Sequence, residues 1–418
     1  VANVNLTPDS SPTGEGSKHS ASVPTGSPSL PAERGTGDEG LHPFRLLAKL
    51  VALFAAFNVL YFLAQPLNLL NHVTVYNLLV PGRERLPFSE YPAESYNLSI
   101  VNLDQMLASH QIARPKAPGE YRVVMVGDSA VWGYLLKPTE TQAACLDRLG
   151  LVLPSGRRVR VYNLGYPKLT ALKDVLILRR ALDYQPDLIL WPITLASLYP
   201  ADQLQPSAFP MTTANYGQVR ELVEHYHFNL PDWPIPAPTW QDQTFFGQRR
   251  DLANWLRYQL YGLAWMATGV DHATPYFVPP HPTVFAPGDE NIYSPNIMHV
   301  ATPKQITESD ISLDIVKAGI GIAQAKNVPV LLINEPIYRS STSDIRWNTY
   351  YPKWAYDTYR ETLHRVAARE GWHYLDMWDA APNDQFTDTD FHLTPAANCA
   401  YAEKLREPLL ALATAPQS

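Results

Sequence analysis

A serine hydroxyl becomes a nucleophile only when a base stands ready to take its proton, and two distant stretches of this chain supply such parts. The first is VVMVGDSAVWGYLL, residues 123–136, in which four apolar, β-prone residues run into Gly127, Asp128 and Ser129, with Gly133 four residues past the serine. A run apolar on both faces reads as a central parallel strand covered by helices on both sides. The serine then stands at the strand's carboxyl end, where the chain swings into a helix and backbone N–H groups can meet an anion. Asp128 and Ser129 are also favoured N-cap residues, so plain helix capping explains the same local pattern. The second stretch is FTDTDFHLTPAANCAYAEKL, residues 386–405, where Asp388, Asp390 and His392 crowd one polar loop before a proline and a helix-like apolar pattern. That loop offers both an imidazole to take the proton and a carboxylate to fix its tautomer.

Taken together, GDSAVWG and DFHLTP resemble the first and last sequence blocks of the SGNH/GDSL hydrolase superfamily, in the same order, serine first and Asp-His last. The resemblance implies a three-layer α/β/α sandwich, flavodoxin-like, with a parallel sheet of about five strands. It also implies chemistry on an ester through a Ser-His-Asp triad and an acyl-enzyme, without a cofactor. Carried over position by position, Ser129 matches the nucleophile, and its own N–H the first oxyanion donor. Gly165, in VRVYNLGYPKLT, matches the second-block glycine whose N–H is a further donor. The third block departs from the pattern: after PDLILWPITLASLY the family has Gly-x-Asn-Asp, whereas this chain has Thr194-Leu195-Ala196-Ser197. Loss of one oxyanion donor costs roughly 3 kcal/mol of transition-state stabilisation. Thr194 is expected to stand in for the missing Asn, with Ser197 and the strand-end Asn334 as the other candidates. The acid departs too, because Thr389 occupies the family's position three before the histidine. Asp390 is the expected triad acid, since a D-x-H spacing occurs in some related extracytoplasmic polysaccharide O-acetyltransferases; Asp388 is its rival.

These residues need elements to hold them. Strand patterns fall at 121–126, 158–163, 187–193, 328–334 and 372–376. Between them, Leu169, Leu172, Leu176 and Leu182 keep near-helical spacing, and a helix is expected over 309–326 with Ile311, Ile315 and Ile322 inward. Strands alternating with helices give a doubly wound parallel sheet, whose ligands bind at the carboxyl ends of the strands. Ser129, Gly165 and His392 are expected to converge there.

The 418-residue chain exceeds one small α/β domain, and its formal charge of −7 gives no attraction to nucleic acid. Residues 1–43, rich in Ser, Thr, Pro and Gly, read as a disordered tail unable to bury enough surface to offset ordering entropy. Residues 44–66 read as a transmembrane helix: Leu46 to Ala64 is interrupted only by Lys49 and Asn58, and about 20 apolar residues cross a bilayer. Arg34, Arg45 and Lys49 flank its N-terminal side, which puts the tail in the cytoplasm and the rest outside. A connecting segment, 67–118, leads to an SGNH-like domain at 119–418 with a Pro- and aromatic-rich insertion at about 200–299. Inside it, DLANWLRYQLYGLAWMATG is amphipathic, a helix packed on the core with partial interfacial contact. His225 and His227 have no evident carboxylate or cysteine partner and read as surface residues rather than a metal site. The expected partners are an acyl-ester substrate, carried by a cell-surface glycan or a lipid, and the membrane. The two cysteines, Cys145 and Cys399, stand in helices that leave the expected site; a disulfide in an oxidising compartment and two buried thiols both fit.

Overall fold

The computed structural model describes residues 43–81, 83, 102–204, 213–230, 237, 239–269 and 305–415. The tail expected at 1–43, apart from Pro43, lies outside the described residues, as do 84–101 of the connecting segment and 205–212 and 270–304 of the insertion and its flank.

Five strands form one sheet: β1 (Glu120–Met125), β2 (Arg158–Asn163), β3 (Leu188–Ile193), β4 (Val330–Asn334) and β5 (His373–Asp376). Their order is β2-β1-β3-β4-β5, and every pairing is parallel. In chain order the helices are α1 (Pro43–Ala64), α2 (Leu67–Leu70), α3 (Val75–Leu79), α4 (Leu103–Ala108), α5 (Ser129–Trp132) and α6 (Gln142–Arg148). They continue with α7 (Ala171–Ala181), α8 (Thr213–Tyr226), α9 (Arg249–Thr268), α10 (Leu313–Gln324), α11 (Lys353–Glu370) and α12 (Pro395–Thr414).

The two-residue period of a strand decides which layer each side chain joins. Val124, Ile189, Trp191 and Leu332 point into a core shared with α4, α7, α10 and α11. Their neighbours Val123, Met125, Leu190 and Ile333 point the other way, into a core shared with α6 and α12. β1, β3 and β4 are buried along their whole length, with apolar runs over 123–125, 188–193 and 330–333; the two charged residues of β1, Glu120 and Arg122, pair with one another at 2.6 Å. The result is an α/β/α sandwich. The chain moves outward from β1 to β2 and then returns past β1 to β3, so the topological switch point, and the ligand crevice that goes with it, lies at the carboxyl end of β1.

Cys145 of α6 and Cys399 of α12 form a disulfide, with Cα atoms 5.0 Å apart. It joins the helix that follows the serine turn to the helix that follows the histidine loop. The chain divides into two compact units, Val1–Leu53 and Phe54–Ser418. Of the first, the described residues are the N-terminal half of α1. This 22-residue helix, whose most apolar 18 residues have a mean hydropathy of 2.1, is long and apolar enough to cross a membrane.

Candidate active site

β1 runs through Val126 into Gly127, Asp128 and Ser129, and α5 begins at the serine. Asp128 is the N-cap, its Oδ1 accepting the Ala130 N–H at 2.8 Å. Gly133 ends the turn in the left-handed conformation, φ 98°, which a side chain would strain. The turn is pressed tightly against its neighbours. A Cβ on Gly165, in the loop after β2, would lie 2.4 Å from the Trp132 nitrogen. Asn163, the last residue of β2, clamps the turn by donating to the carbonyls of Val131 at 2.9 Å and Trp132 at 3.3 Å.

His392 is brought to this turn from the far end of the chain. Its Nε2 lies 2.7 Å from Ser129 Oγ, and its Nδ1 lies 2.9 Å from Asp388 Oδ1. The imidazole is 6% exposed and lies 5.1 Å, centroid to centroid, from the Tyr134 ring. The loop closes on itself: the Thr387 N–H donates to the His392 carbonyl at 2.8 Å, and the His392 N–H to Thr389 Oγ1 at 3.2 Å. Burial alone would raise the Asp388 carboxyl, but the bond and charge of His392, with the Thr387 hydroxyl, hold it below the usual carboxylate range.

Asp390, expected to hold the histidine, does not face it. Its Oδ2 accepts the Thr349 N–H at 2.9 Å and the Thr349 hydroxyl, while its carbonyl accepts the Tyr338 N–H at 2.7 Å. Asp390 is fully buried, and that burial raises its carboxyl despite the two bonds from Thr349. The reason is geometric: the closed loop aims Asp388 and His392 at the same side, whereas Asp390 fastens the loop to the segment 338–349.

Two of the expected oxyanion donors are committed elsewhere. The Gly165 N–H donates to Asn163 Oδ1 at 2.9 Å, so its glycine is required here by close approach to α5. Thr194 is fully buried, and its hydroxyl pairs with the Tyr351 hydroxyl at 2.9 Å. Asn334 is also occupied, donating to Asp376 Oδ1 at 2.9 Å and accepting from the hydroxyls of Tyr356 and Tyr359. The Ser129 N–H, at the first position of its helical turn, is one of those a helix leaves without an internal partner.

Beneath the Ser129 turn lies a buried ionic cluster that the sequence did not announce. Lys173 Nζ donates to the Gly127 carbonyl at 2.8 Å and the Tyr166 carbonyl at 2.9 Å, and pairs with Asp174 Oδ1 at 2.7 Å. Burial pushes Asp174 up to about 6 against the pull of Lys173. Glu335, just past β4, is 1% exposed; among the described residues neither of its carboxyl oxygens receives a donor, and the same holds for Asp128 Oδ2. Two such groups in hydrogen-bond contact satisfy one another only by sharing a proton. Burial first, and then the Asp128 charge, keep that proton on Glu335 well above the ordinary carboxyl range. The only sequence signal was a polar residue directly after an apolar strand, in LLINEP.

Comparison with solved structures finds GDSL-type enzymes among its matches. A GDSL-like lipase from Bacteroides thetaiotaomicron is 10% identical over 74% of this chain and 98% of its own, with a TM-score of 0.34. A carbohydrate acetylesterase family member from Sinorhizobium meliloti is 11% identical over 70% and 99%, TM-score 0.31. An acetyl-xylooligosaccharide esterase from Geobacillus is 13% identical over 70% and 96%, TM-score 0.32. The chain resembles these hydrolases. No protein-family model and no curated protein matches it.

Proposed function

We propose that this protein is a membrane-anchored serine esterase or O-acyltransferase of the SGNH type, acting on ester-linked acyl groups outside the cytoplasmic membrane. The observation that carries the reading is the continuous relay Ser129–His392–Asp388, with contacts of 2.7 and 2.9 Å. His392 Nε2 takes the Ser129 proton as Oγ attacks the ester carbonyl carbon, and Asp388 steadies the imidazolium. The tetrahedral intermediate collapses, the alcohol leaves with the proton from Nε2, and the acyl group remains on Ser129. Water, or the hydroxyl of a cell-surface glycan or lipid, then attacks the acyl carbon and releases the serine. Water makes the enzyme an esterase; an acceptor hydroxyl makes it an acyltransferase. α1 supplies the anchor, and Arg45 and Lys49 on its N-terminal side favour a cytoplasmic N-terminus.

One observation favours a second reading, a catalytically degenerate domain that serves an envelope complex as a binding or assembly component. The Gly165 N–H and the Thr194 hydroxyl are both engaged within the protein, which leaves fewer donors for an oxyanion. Labelling of the full chain with a fluorophosphonate separates the two. The enzyme reading expects modification of Ser129 that is lost in Ser129→Ala and in His392→Ala. A folded wild-type chain that takes up no label refutes it in favour of the binding role.

A further inference from the structure

The apolar span of α1 contains one uncharged polar residue, Asn58, and such a residue in a bilayer is costly unless partnered. Both ends of its amide are used: Nδ2 donates to the Phe54 carbonyl at 2.9 Å, and Oδ1 accepts the N–H of Phe246 at 3.0 Å. Phe246 belongs to the loop Thr239–Gln248 that leads into α9. The same loop leans on the last two turns of α1 elsewhere, with the Phe245 ring edge-on to Phe57 at 5.0 Å and to Tyr61 at 5.7 Å. Gln65 Nε2 adds a bond to the Gln243 carbonyl at 3.2 Å.

These contacts set a depth. Asn58 precedes the end of α1 at Ala64 by six residues, about 9 Å along the axis at 1.5 Å per residue. Side chains lean toward a helix's N-terminus, so the Asn58 amide lies no nearer the C-terminal end of α1 than its own Cα. The helix is about 33 Å long and a hydrocarbon core about 30 Å thick, so a spanning α1 has almost no length to spare. Phe246 is thereby held at the depth, roughly 5–10 Å, at which interfacial elements seat their apolar faces.

The loop is made for that environment. Phe246 and Trp240 are 58% and 65% exposed. The N–H groups of Asp242, Gln243, Thr244, Gly247 and Gln248 are satisfied by acceptors within the loop, as a backbone near hydrocarbon requires. Arg249 lays its guanidinium 4.3 Å from the Phe246 ring centroid, where a cation can meet lipid phosphate. α9 then packs one face on α3 through Gln259 and Trp265. Its other face presents Leu256, Leu260 and Leu263, exposed at helical spacing.

We infer that the loop Thr239–Gln248 and the exposed face of α9 are seated in the lipid headgroup–acyl boundary at the C-terminal end of α1, so that the protein rests on the bilayer at two places. The inference builds on the reading of α1 as a membrane anchor. It makes the substrate one presented close to the membrane surface.

The test uses the full chain in phosphatidylcholine vesicles, with single cysteines at Phe246→Cys, Leu260→Cys, Leu53→Cys and Arg406→Cys, each carrying an environment-sensitive fluorophore. Cys145 and Cys399 are bonded to one another and do not compete for the label. Nitroxide-bearing lipids placed at the headgroup, upper chain and lower chain report depth. Labels at 246 and 260 are expected to be blue-shifted and quenched most by the shallow nitroxides, the label at 53 by the deep one, and the label at 406 by none. Quenching at 53 without quenching at 246 and 260 overturns the inference and leaves the anchor standing. A blue-shifted but unquenched label at 246 means that protein, not lipid, covers the loop, and overturns it as well. No quenching at 53 refutes the anchor itself, and the inference falls with it.

Discussion

Glu335→Gln tests whether the acid pair under the nucleophile shares a proton. In the folded chain, burial and the Asp128 charge hold the Glu335 carboxyl protonated well above the usual range; in the unfolded chain it ionises near pH 4.3. Between those two limits the folded state binds one more proton than the unfolded state, so wild-type stability falls as pH rises. For each pH unit inside that window the loss is about 1.4 kcal/mol. Gln keeps the shape and a donor for Asp128 Oδ2 but has no proton to lose. The Gln variant is therefore expected to gain about 1.4 kcal/mol on the wild type for each such unit from pH 5 upward. Below about pH 3, where both states of the wild type are protonated, the difference between the two proteins is constant. The groups facing Glu335 are Asp128, Asp174 and Lys173 in the cluster, and the hydroxyls of Tyr351, Tyr356 and Tyr401 around it. All are unchanged by the substitution, so their titrations cancel in the comparison except where they couple to Glu335. Urea unfolding of both proteins at half-unit pH steps gives the two curves. Parallel curves between pH 5 and 8 would refute the shared proton and require donors to Glu335 of another kind.

Other outcomes follow from the same geometry. Asp388→Asn should slow fluorophosphonate labelling of Ser129 by about a hundredfold to ten-thousandfold, less than a wholly buried partner would, because the Asp388 side chain is 34% exposed. Asp390→Asn should change labelling by less than about tenfold while lowering the unfolding midpoint; the opposite ranking would return the triad acid to Asp390. Gly165→Ala, with its new Cβ 2.4 Å from the Trp132 nitrogen, forces backbone movement at the nucleophile. It is expected to cost about 1–3 kcal/mol in urea unfolding and to reduce the labelling rate. Cys145→Ser opens a bridge spanning 254 residues of sequence and should cost about 2–5 kcal/mol by the same measurement.

β3 and β4 were legible because burial on both faces leaves little room for polar alternation, and β2 because Arg158, Val159, Arg160 and Val161 alternate with their exposure; the expected 158–163 coincides with β2, and the other four patterns differ from β1, β3, β4 and β5 by one or two residues at an end. Side-chain types also pointed to Ser129 and His392 as partners 263 residues apart. The choice between Asp388 and Asp390 was not legible, since both stand in one short loop and neither spacing differs physically until the loop is closed. What separates them is distant. Asp390 is claimed by Thr349, 41 residues away in sequence, and the Thr387–His392 bond turns Asp388 toward the ring. Thr194 failed as a donor for a similar reason, its hydroxyl being taken by Tyr351, 157 residues away.

The commitment of Gly165 to an internal bond looks at first like decay of an oxyanion site, yet the residues involved serve the turn that carries Ser129. Asn163, which occupies the Gly165 N–H, spends its own amide on the carbonyls of Val131 and Trp132. Lys173 holds the Gly127 carbonyl just ahead of the serine, and the Glu335 carboxyl faces the Asp128 side chain that caps the helix. Contacts from β2, α7 and the end of β4 thus converge on six consecutive residues, 127–132. A domain kept only for binding has no evident need for a serine fixed from three sides with a histidine 2.7 Å from its oxygen. Burying a lysine and three carboxyls to achieve that is expensive in desolvation, and the expense is concentrated on the one turn whose geometry nucleophilic attack depends on.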